Sequence, residues 1–109
     1  MIQIQTQTID NFCSSNNIKK IDLLKLDCDV TEYEVLLGAE KMLSEGKIGL
    51  IYTEISGAKK GFDLKVQEIK DFLNKYNFDL NKTWNYPHFS FLSNLKATDN
   101  LFIKSITTK

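Results

Sequence analysis

Residues 21–55 contain two apolar strands with an amphipathic helix between them, and this order constrains the fold more than any other feature of the chain. The first strand, 21-IDLLKLD-27, shows little alternation of apolar and polar residues, which predicts a strand covered on both faces. A helix is expected over Thr31–Glu45, with Gly46 as its left-handed C-terminal cap. The second strand is 48-IGLIYTEI-55. Short turns between these elements predict a parallel βαβ unit with a right-handed crossover, and therefore an α/β fold.

Shorter elements are expected on both sides of this unit. Alternation predicts a short, edge-like strand in 2-IQIQTQT-8. Helical spacing predicts a short helix in 9-IDNFCSSNN-17, which Asp10 can cap. The stretch 56-SGAKKGFD-63 has the composition of a loop, and 64-LKVQEIKDFLNKYN-77 has the apolar stripe of a second amphipathic helix.

The last part of the chain predicts a hairpin. The stretch 78-FDLNKTW-84 alternates, and 101-LFIKSI-106 is also strand-like, with a connection rich in aromatic residues between them. We therefore expect these two strands to pair in antiparallel fashion. The chain of 109 residues has the length of a single domain, so residues 1–109 are treated as one unit.

Charge and composition exclude several classes of function. The chain has 14 basic and 14 acidic residues, so no net field attracts it to nucleic acid or to an anionic membrane. Its apolar runs are far shorter than the roughly 20 residues that a membrane span needs, and its polar N-terminus lacks the features of a signal peptide. Two cysteines without a CxxC motif and a single histidine do not supply the usual zinc ligands. We therefore expect a cytosolic protein without such a metal centre.

Five stretches of the sequence occur in a specific order. They are 8-TIDNF-12, 21-IDLLKLDCDVTEYEVLLGAEKML-43, 47-KIGLIYTEI-55, 69-IKDFLNKYNF-78 and 100-NLFIK-104. In this order and spacing they resemble the FkbM family of S-adenosylmethionine-dependent methyltransferases over nearly the whole chain. That family has a threonine, an apolar residue and an aspartate before a short helix, then a strand ending in Lys-Ile-Asp-Val-Glu-Gly, a Glu in the next helix and a later Lys-Gly-Ala. The residues at those places here are Lys25, Leu26, Asp27, Cys28, Asp29, Glu32, Gly38 and Ala39.

The resemblance implies the Rossmann-like class I methyltransferase fold, with S-adenosylmethionine (SAM) as cofactor and a sugar or another small metabolite as methyl acceptor. In that fold a glycine-rich loop after the first strand holds the cofactor. This chain has five glycines, all from Gly38 onwards, and none of them forms a GxG motif. We therefore expect the C-terminal half of the domain: a mixed sheet with parallel central strands and a C-terminal antiparallel hairpin. Such a half would bind SAM with negligible affinity and would be inactive by itself.

A half domain leaves the strand 21–27 as an exposed sheet edge, whose unpaired backbone groups are a template for association. Three partners for this edge remain open: the strand at Ile2–Thr6, a second copy of the chain, or a separately encoded N-terminal half domain. The alternative function is accordingly a non-catalytic remnant or assembly module that binds another chain through its open edge.

Three carboxylates at the ends of the central strands are the candidate catalytic residues: Asp27, Asp29 and Glu54. Methyl transfer to oxygen requires the acceptor to lose a proton, so the resemblance gives Asp27 the role of orienting the acceptor hydroxyl or acting as its base. An unperturbed Asp has a pKa near ~4, which favours orientation. Alternatively, Asp27 accepts hydrogen bonds from the loop that follows it. The three carboxylates together would also form an acidic rim suited to a divalent cation.

Asp29 has a structural alternative. The pairs Asp29 with Glu32, and Thr31 with Glu34, both have the spacing of a helix capping box. The Glu-Gly of the family pattern is replaced here by Asp29 and Val30, and loss of the glycine restricts the backbone at this turn.

The aromatic connection before the last strand supplies candidate acceptor-binding residues. Tyr86, His88 and Phe89 lie in this stretch, which also holds Pro87, the single proline of the chain. Loops that follow a rigid sheet often carry binding residues, so these three side chains are expected to form a lid over the acceptor or, alternatively, to pack over the sheet.

Overall fold

The computed structural model describes residues 6–28, 30–85 and 95–105. Its elements, in chain order, are α1 (Ile9–Ser15), β1 (Ile21–Leu26), α2 (Glu32–Leu37), α3 (Glu40–Ser44), β2 (Ile48–Ala58), α4 (Phe62–Asn74), β3 (Phe78–Asn85) and β4 (Leu95–Lys104). The predicted α/β class is therefore confirmed. Thr6–Thr8, the described end of the predicted N-terminal strand, belong to no strand. Among the described residues, no helix has the length and apolar character needed to cross a bilayer.

The sheet has four strands in the order β1-β2-β4-β3. β1 and β2 are parallel, with Leu24 opposite Ile51. β4 pairs with β2 and with β3, in both cases antiparallel, so the predicted C-terminal hairpin is confirmed. β4 is longer than predicted and begins at Leu95, while β2 continues to Ala58 through the first part of the predicted loop. Within the described residues β1 has one strand neighbour and forms an edge of the sheet.

The core lies on one face of the sheet. Ile51, Ile55 and Phe102 alternate onto this face and are fully buried. They belong to a single buried cluster to which the helices contribute Cys13, Leu36, Ala39, Met42, Leu43, Phe62, Ile69, Phe72 and Leu73. Burying one such aliphatic or aromatic side chain stabilises the fold by about 1.5–3 kcal/mol, so this cluster is the main source of stability.

The opposite face of the sheet is open at its parallel edge. Leu23 and Leu50 lie opposite each other in the register and point away from the core; they are 54% and 40% exposed. The prediction that β1 is covered on both faces is therefore wrong for the described part of the chain. The apolar composition of β1 is that of a strand with two covered faces, and the described helices pack into one cluster on one side of it.

The helix predicted over Thr31–Glu45 is divided in two. The backbone N–H of Asp10 donates to the carbonyl of Gly38, and the Asp10 carboxylate accepts from the N–H groups of Lys41 (2.8 Å) and Met42 (3.0 Å). These contacts replace the hydrogen bonds that Lys41 and Met42 would make one turn back in a continuous helix. Asp10 therefore separates α2 from α3 and caps the N-terminus of α3.

The predicted role of Asp10 as the cap of its own helix is wrong. The N-terminal cap of α1 is Thr8, whose hydroxyl accepts the N–H of Asn11 at 3.0 Å. α1 can pack this closely against the break because Gly38 has no side chain: a Cβ at Gly38 would lie 3.0 Å from Cβ of Thr8. The C-terminal cap predicted at Gly46 is confirmed, since that residue has a φ of 70° after the end of α3.

Replacing Asp10 tests its role as a long-range cap. Asp10→Ala should lower the free energy of unfolding by about 1–2 kcal/mol, because two N–H groups at the start of α3 lose their acceptor. The measurement is urea denaturation followed by circular dichroism. The matched control is Asp22→Ala, whose carboxylate is almost fully exposed and faces Lys20 at 3.5 Å; it should change the free energy by less than about 0.5 kcal/mol. Equal losses in the two variants would contradict the capping role.

Candidate functional site

The carboxyl ends of β1 and β2 form the edge of the sheet at which α/β proteins bind ligands. Leu26 lies opposite Thr53 in the register, so the next residues along the two strands are Asp27 and Glu54. The side chain of Asp27 is exposed, and Glu54 is half-buried with its Oε1 atom excluded from solvent. Two of the three predicted catalytic carboxylates therefore come to the same edge. Asp29 lies outside the described residues.

A further carboxylate extends this row onto β4. Asp99 lies opposite Glu54 in the antiparallel register. The hydroxyl of Tyr52 donates to Oδ2 of Asp99 at 3.1 Å. Partial burial, together with this hydrogen bond, raises the pKa of Tyr52 above its ordinary value. Tyr52 is therefore a neutral hydrogen-bond donor at neutral pH and does not act as a base. Sequence reasoning missed Asp99, because its strand was predicted to begin later in the chain.

Behind this edge lies a fully buried carboxylate, Glu32, in the first turn of α2. The ammonium of Lys65, from α4, is 3.2 Å from Oε1 of Glu32. The backbone N–H of Ser56 donates to Oε1 and the Ser56 hydroxyl donates to Oε2, both over a long 3.4 Å. A buried charge is costly unless it is paired and hydrogen-bonded, and Glu32 has both kinds of partner.

The same partners hold the turn between β1 and α2. The N–H of Val30 donates to the hydroxyl of Ser56 at 2.9 Å, and the ammonium of Lys65 donates to the carbonyl of Val30 at 2.9 Å. Lys65 also donates to the carbonyl of Ser56 through a short hydrogen bond. We call Glu32, Ser56 and Lys65 the buried network. It joins α2, the end of β2 and α4 to the turn that carries Asp27.

Val30 has a strained backbone. Its φ is 73°, in the left-handed region that a β-branched residue rarely adopts. The family pattern has a glycine at this place, and a glycine adopts this conformation without strain. The substitution therefore costs about 1–3 kcal/mol locally. The two hydrogen bonds from the buried network to Val30 hold the turn in this conformation.

The capping box predicted for Thr31 and Glu34 is wrong. Thr31 makes no capping hydrogen bond to the helix; its hydroxyl donates to the carbonyl of Cys28 at 2.7 Å. Glu32, the other residue predicted to complete a capping box, is occupied in the buried network. Both side chains therefore stabilise contacts of the turn with its surroundings.

Several predicted residues fall outside the described part of the chain. The candidate acceptor-binding residues Tyr86, His88 and Phe89 lie outside it, as does Asp29, which the predicted acidic rim requires. No cluster of three or more His, Cys, Asp or Glu side chains suited to a metal ion occurs in residues 6–28, 30–85 and 95–105. The described site therefore consists of Asp27, Glu54 and Asp99 at the edge and the buried network behind them.

Sequence reasoning missed the buried network as a unit. Glu32 has its place in the motif and capping-box spacing, but Ser56 falls in the predicted loop 56–63 and Lys65 in the predicted helix 64–77, and neither pattern indicates a role at a site. A serine at the end of an apolar strand is the one available signal for such a site. The pairing itself joins residues far apart in sequence and requires the tertiary fold.

The fold and the edge define a class of protein. The sheet is similar to that of a crystal structure of M1.HpyAVI, with a TM-score of 0.52, 17% sequence identity and coverage of 96% of this chain and 56% of that chain. A crystal structure of the M1.HpyAVI–SAM complex is also similar, with a TM-score of 0.50, 15% identity and coverage of 97% of this chain and 55% of the other. The chain thus has the α/β fold of class I methyltransferases, as predicted, and spans little more than half the length of these two structures.

Comparison of the sequence with protein families gives the particular family. The model described as the methyltransferase FkbM domain matches residues 1–80, so the chain belongs to that family and the resemblance seen in the motifs is confirmed. No curated protein matches the sequence.

Restoring the family's glycine tests the strain at Val30. Val30→Gly should raise the free energy of unfolding by about 1 kcal/mol, because relief of left-handed strain exceeds the entropy that glycine gains in the unfolded chain. The control is Val35→Gly within α2, which should lower the same free energy by about 1 kcal/mol or more through loss of helix propensity and packing. Urea denaturation measures both. A loss of stability in both variants would show that Val30 is not strained.

Proposed function

We propose that this chain forms part of a SAM-dependent methyltransferase that methylates a hydroxyl group of a sugar or another small metabolite. The observation that carries the proposal is the position of Asp27, directly after the end of β1, beside Glu54 of the parallel strand β2 in an FkbM-family domain. The hydroxyl acceptor comes from the family resemblance, since Asp27 suits any acceptor with a proton to lose.

The described residues fit one side of the bound cofactor. The exposed carboxylate of Asp27 and the half-buried carboxylate of Glu54 favour a positively charged group such as the sulfonium of SAM. The chain has no GxG motif to approach the remainder of the cofactor closely. We therefore propose that Asp27 and Glu54 contribute one wall of the site and that another segment of protein supplies the other wall.

Asp27 is proposed to orient the acceptor. When bound, SAM supplies an electrophilic methyl group. Asp27 is exposed, so its carboxylate can accept a hydrogen bond from the acceptor hydroxyl and direct a lone pair of that oxygen towards the methyl group. A carboxylate is a weak base for an alcohol, so the contribution proposed for Asp27 is orientation. In methyl transfer the oxygen–methyl bond would form as the methyl–sulfur bond of SAM breaks, S-adenosylhomocysteine would be the leaving group, and the hydroxyl proton would pass to solvent.

The partner is proposed to bind at β1. This strand is the edge of the described sheet, Leu23 is exposed on one side of it, and an apolar groove of about 420 Å³ lies on the other side, between β1 and α1. The groove is lined by Gln7, Thr8, Ile9, Phe12, Cys13, Ile18, Ile21 and Leu24. A strand with apolar side chains on both faces fits this edge, which favours an N-terminal half domain as the partner.

The same surface supports a second candidate function. An assembly module would need an unpaired strand edge with apolar surface on both sides. It would not need a catalytic carboxylate. β1 meets the first condition, so the two candidates differ in whether Asp27 has a chemical role.

Reconstitution of methyl transfer tests the first candidate. The chain, expressed together with an N-terminal FkbM half domain, should transfer labelled methyl from SAM to a panel of sugars and small hydroxylated metabolites. Asp27→Asn should lower kcat by about 100-fold with little change in the KM for SAM, because the acceptor loses its orienting carboxylate. The control is Asp71→Asn on the exposed side of α4, away from β1 and Asp27, which should retain full activity.

The outcomes separate the two candidates. Complex formation without methyl transfer supports the assembly module. Methyl transfer that is equal in Asp27→Asn and wild type contradicts the proposed role of Asp27.

Association through β1 gives a second test, which requires no partner. At high concentration the isolated chain should form dimers or larger species, because copies pair at the open edge when the partner is absent. Leu23→Lys should shift it towards the monomer, measured by size-exclusion chromatography with light scattering. The control Leu64→Lys changes a leucine of α4 that is also exposed and should leave the association unchanged. A wild-type monomer at high concentration would count against an interface at β1.

A further inference from the structure

The turn between β1 and α2 is held from behind by side chains that do not reach the open edge. Glu32 is fully buried and Ser56 nearly so, whereas Asp27 is exposed. Glu32 and Ser56 therefore lie too deep to touch a ligand at the strand ends, and the half-buried Lys65 directs its ammonium inward to Glu32 and to the carbonyls of Val30 and Ser56. The contacts of the buried network are instead with the backbone of the turn, at both polar groups of Val30.

We propose that Glu32, Ser56 and Lys65 are positioning residues of the methyl-transfer site. They hold the strained turn, and the turn holds Asp27 beside Glu54 of β2. The proposal rests on the proposed function for its catalytic consequence. The mechanical part, that the network holds the turn, rests on geometry alone.

The chemistry of the network favours positioning over simple stabilisation. A well-packed apolar group at Glu32 would stabilise the fold as well as or better than a buried ion pair, because removing two charges from water offsets most of their attraction. An ion pair with hydrogen bonds differs from apolar packing in that it fixes orientation. Here the Lys65 ammonium contacts Glu32 and two backbone carbonyls, so its position fixes α2 and the turn relative to α4.

The strain at Val30 makes the turn depend on these contacts. A residue with a φ of 73° returns to the ordinary region when nothing holds it there. Rotation at Val30 would move the segment between it and β1, which includes Asp27 and Cys28. The hydroxyl of Ser56 accepts a hydrogen bond from the backbone N–H of Val30, so removing that oxygen removes this one contact with the turn.

Amide hydrogen exchange in the intact chain tests the mechanical part. Ser56→Ala should accelerate exchange at the Val30 amide by at least 10-fold relative to the amide of Ile69, which lies in the core of α4 and reports global unfolding. Ser56→Thr keeps the hydroxyl and should restore slow exchange. The matched control is Ser44→Ala, which removes a serine hydroxyl bonded to the carbonyl of Lys41 and should leave Val30 unchanged.

A second variant covers the case in which Ser56→Ala does not fold. The double variant Glu32→Gln/Lys65→Met removes the donor to the Val30 carbonyl without leaving a buried charge unpaired, and it should accelerate Val30 exchange in the same way. Unchanged exchange at Val30, relative to Ile69, in a folded variant of either kind overturns the proposal.

Kinetics of the reconstituted methyltransferase test the catalytic part. Ser56→Ala should lower kcat by about 10-fold and leave the KM for SAM unchanged, and Ser56→Thr should recover kcat. A loss of stability alone would lower the amount of active protein but leave kcat per active site unchanged. Accelerated exchange with unchanged kcat overturns the positioning role. Absence of methyl transfer in the wild type overturns the proposed function and the positioning role together, while the exchange measurement still decides whether the network holds the turn.

Discussion

One buried charge determines how the parts of this chain are arranged around the candidate site. Glu32 has no access to solvent, so the fold must supply a cation and hydrogen-bond donors wherever this carboxylate lies. Lys65 comes from α4 and Ser56 from the end of β2, and both can reach Glu32 only when α2, α4 and β2 are packed in one arrangement. The hydrophobic cluster supplies most of the stability, but apolar contacts tolerate small shifts. The ion pair and its hydrogen bonds require one arrangement, and they lie behind the edge that carries the candidate site.

The turn next to this charge departs from the pattern of its family. A valine has the left-handed conformation that a glycine adopts freely, and the contacts of the buried network compensate for the strain. Strain is commonly stored beside functional sites when the surrounding structure over-determines the backbone. Two motif residues at this turn have different environments: Asp27 is exposed at the open edge, and Glu32 is buried. The earlier motif residues Thr8 and Asp10 cap two different helices.

The described sheet has one covered face and an open edge at β1. Its described helices cover one face, while β1 has an unpaired edge and leaves leucines exposed on the other face. In sheets with parallel strands, both faces are usually covered, because such strands are apolar on both sides. Asp27 directly follows β1, so in the proposed function the partner that covers this strand also approaches Asp27 and Glu54. In the proposed function, the partner that pairs with β1 therefore completes both the sheet and the methyl-transfer site.

The sequence by itself determined the class of fold, most elements and the position of the candidate residue Asp27 at a strand end. Apolar runs, helical spacing and the order of the motifs are local signals, so the βαβ unit, α4, the C-terminal hairpin and the place of Asp27 at a strand end all followed from them. The break between α2 and α3 could not be predicted from local signals. It depends on Asp10, and both β1 and α2 lie between Asp10 and the break along the chain. The sequence also did not predict that only one face of β1 is covered. An apolar composition shows that a strand can be buried on both faces, but it does not show which helices pack against it.

The roles of individual polar side chains were decided by tertiary structure. Glu32 has capping-box spacing in the sequence, yet in the fold it is paired with Lys65 and Ser56, which lie far along the chain. Spacing describes only neighbours within a turn of helix, and a carboxylate can find a stronger partner in a cation that packing brings within 3.2 Å. The sequence therefore determined that acidic residues follow the first strand, and only the packing of α4 against the end of β2 decided which of them faces solvent and which is buried.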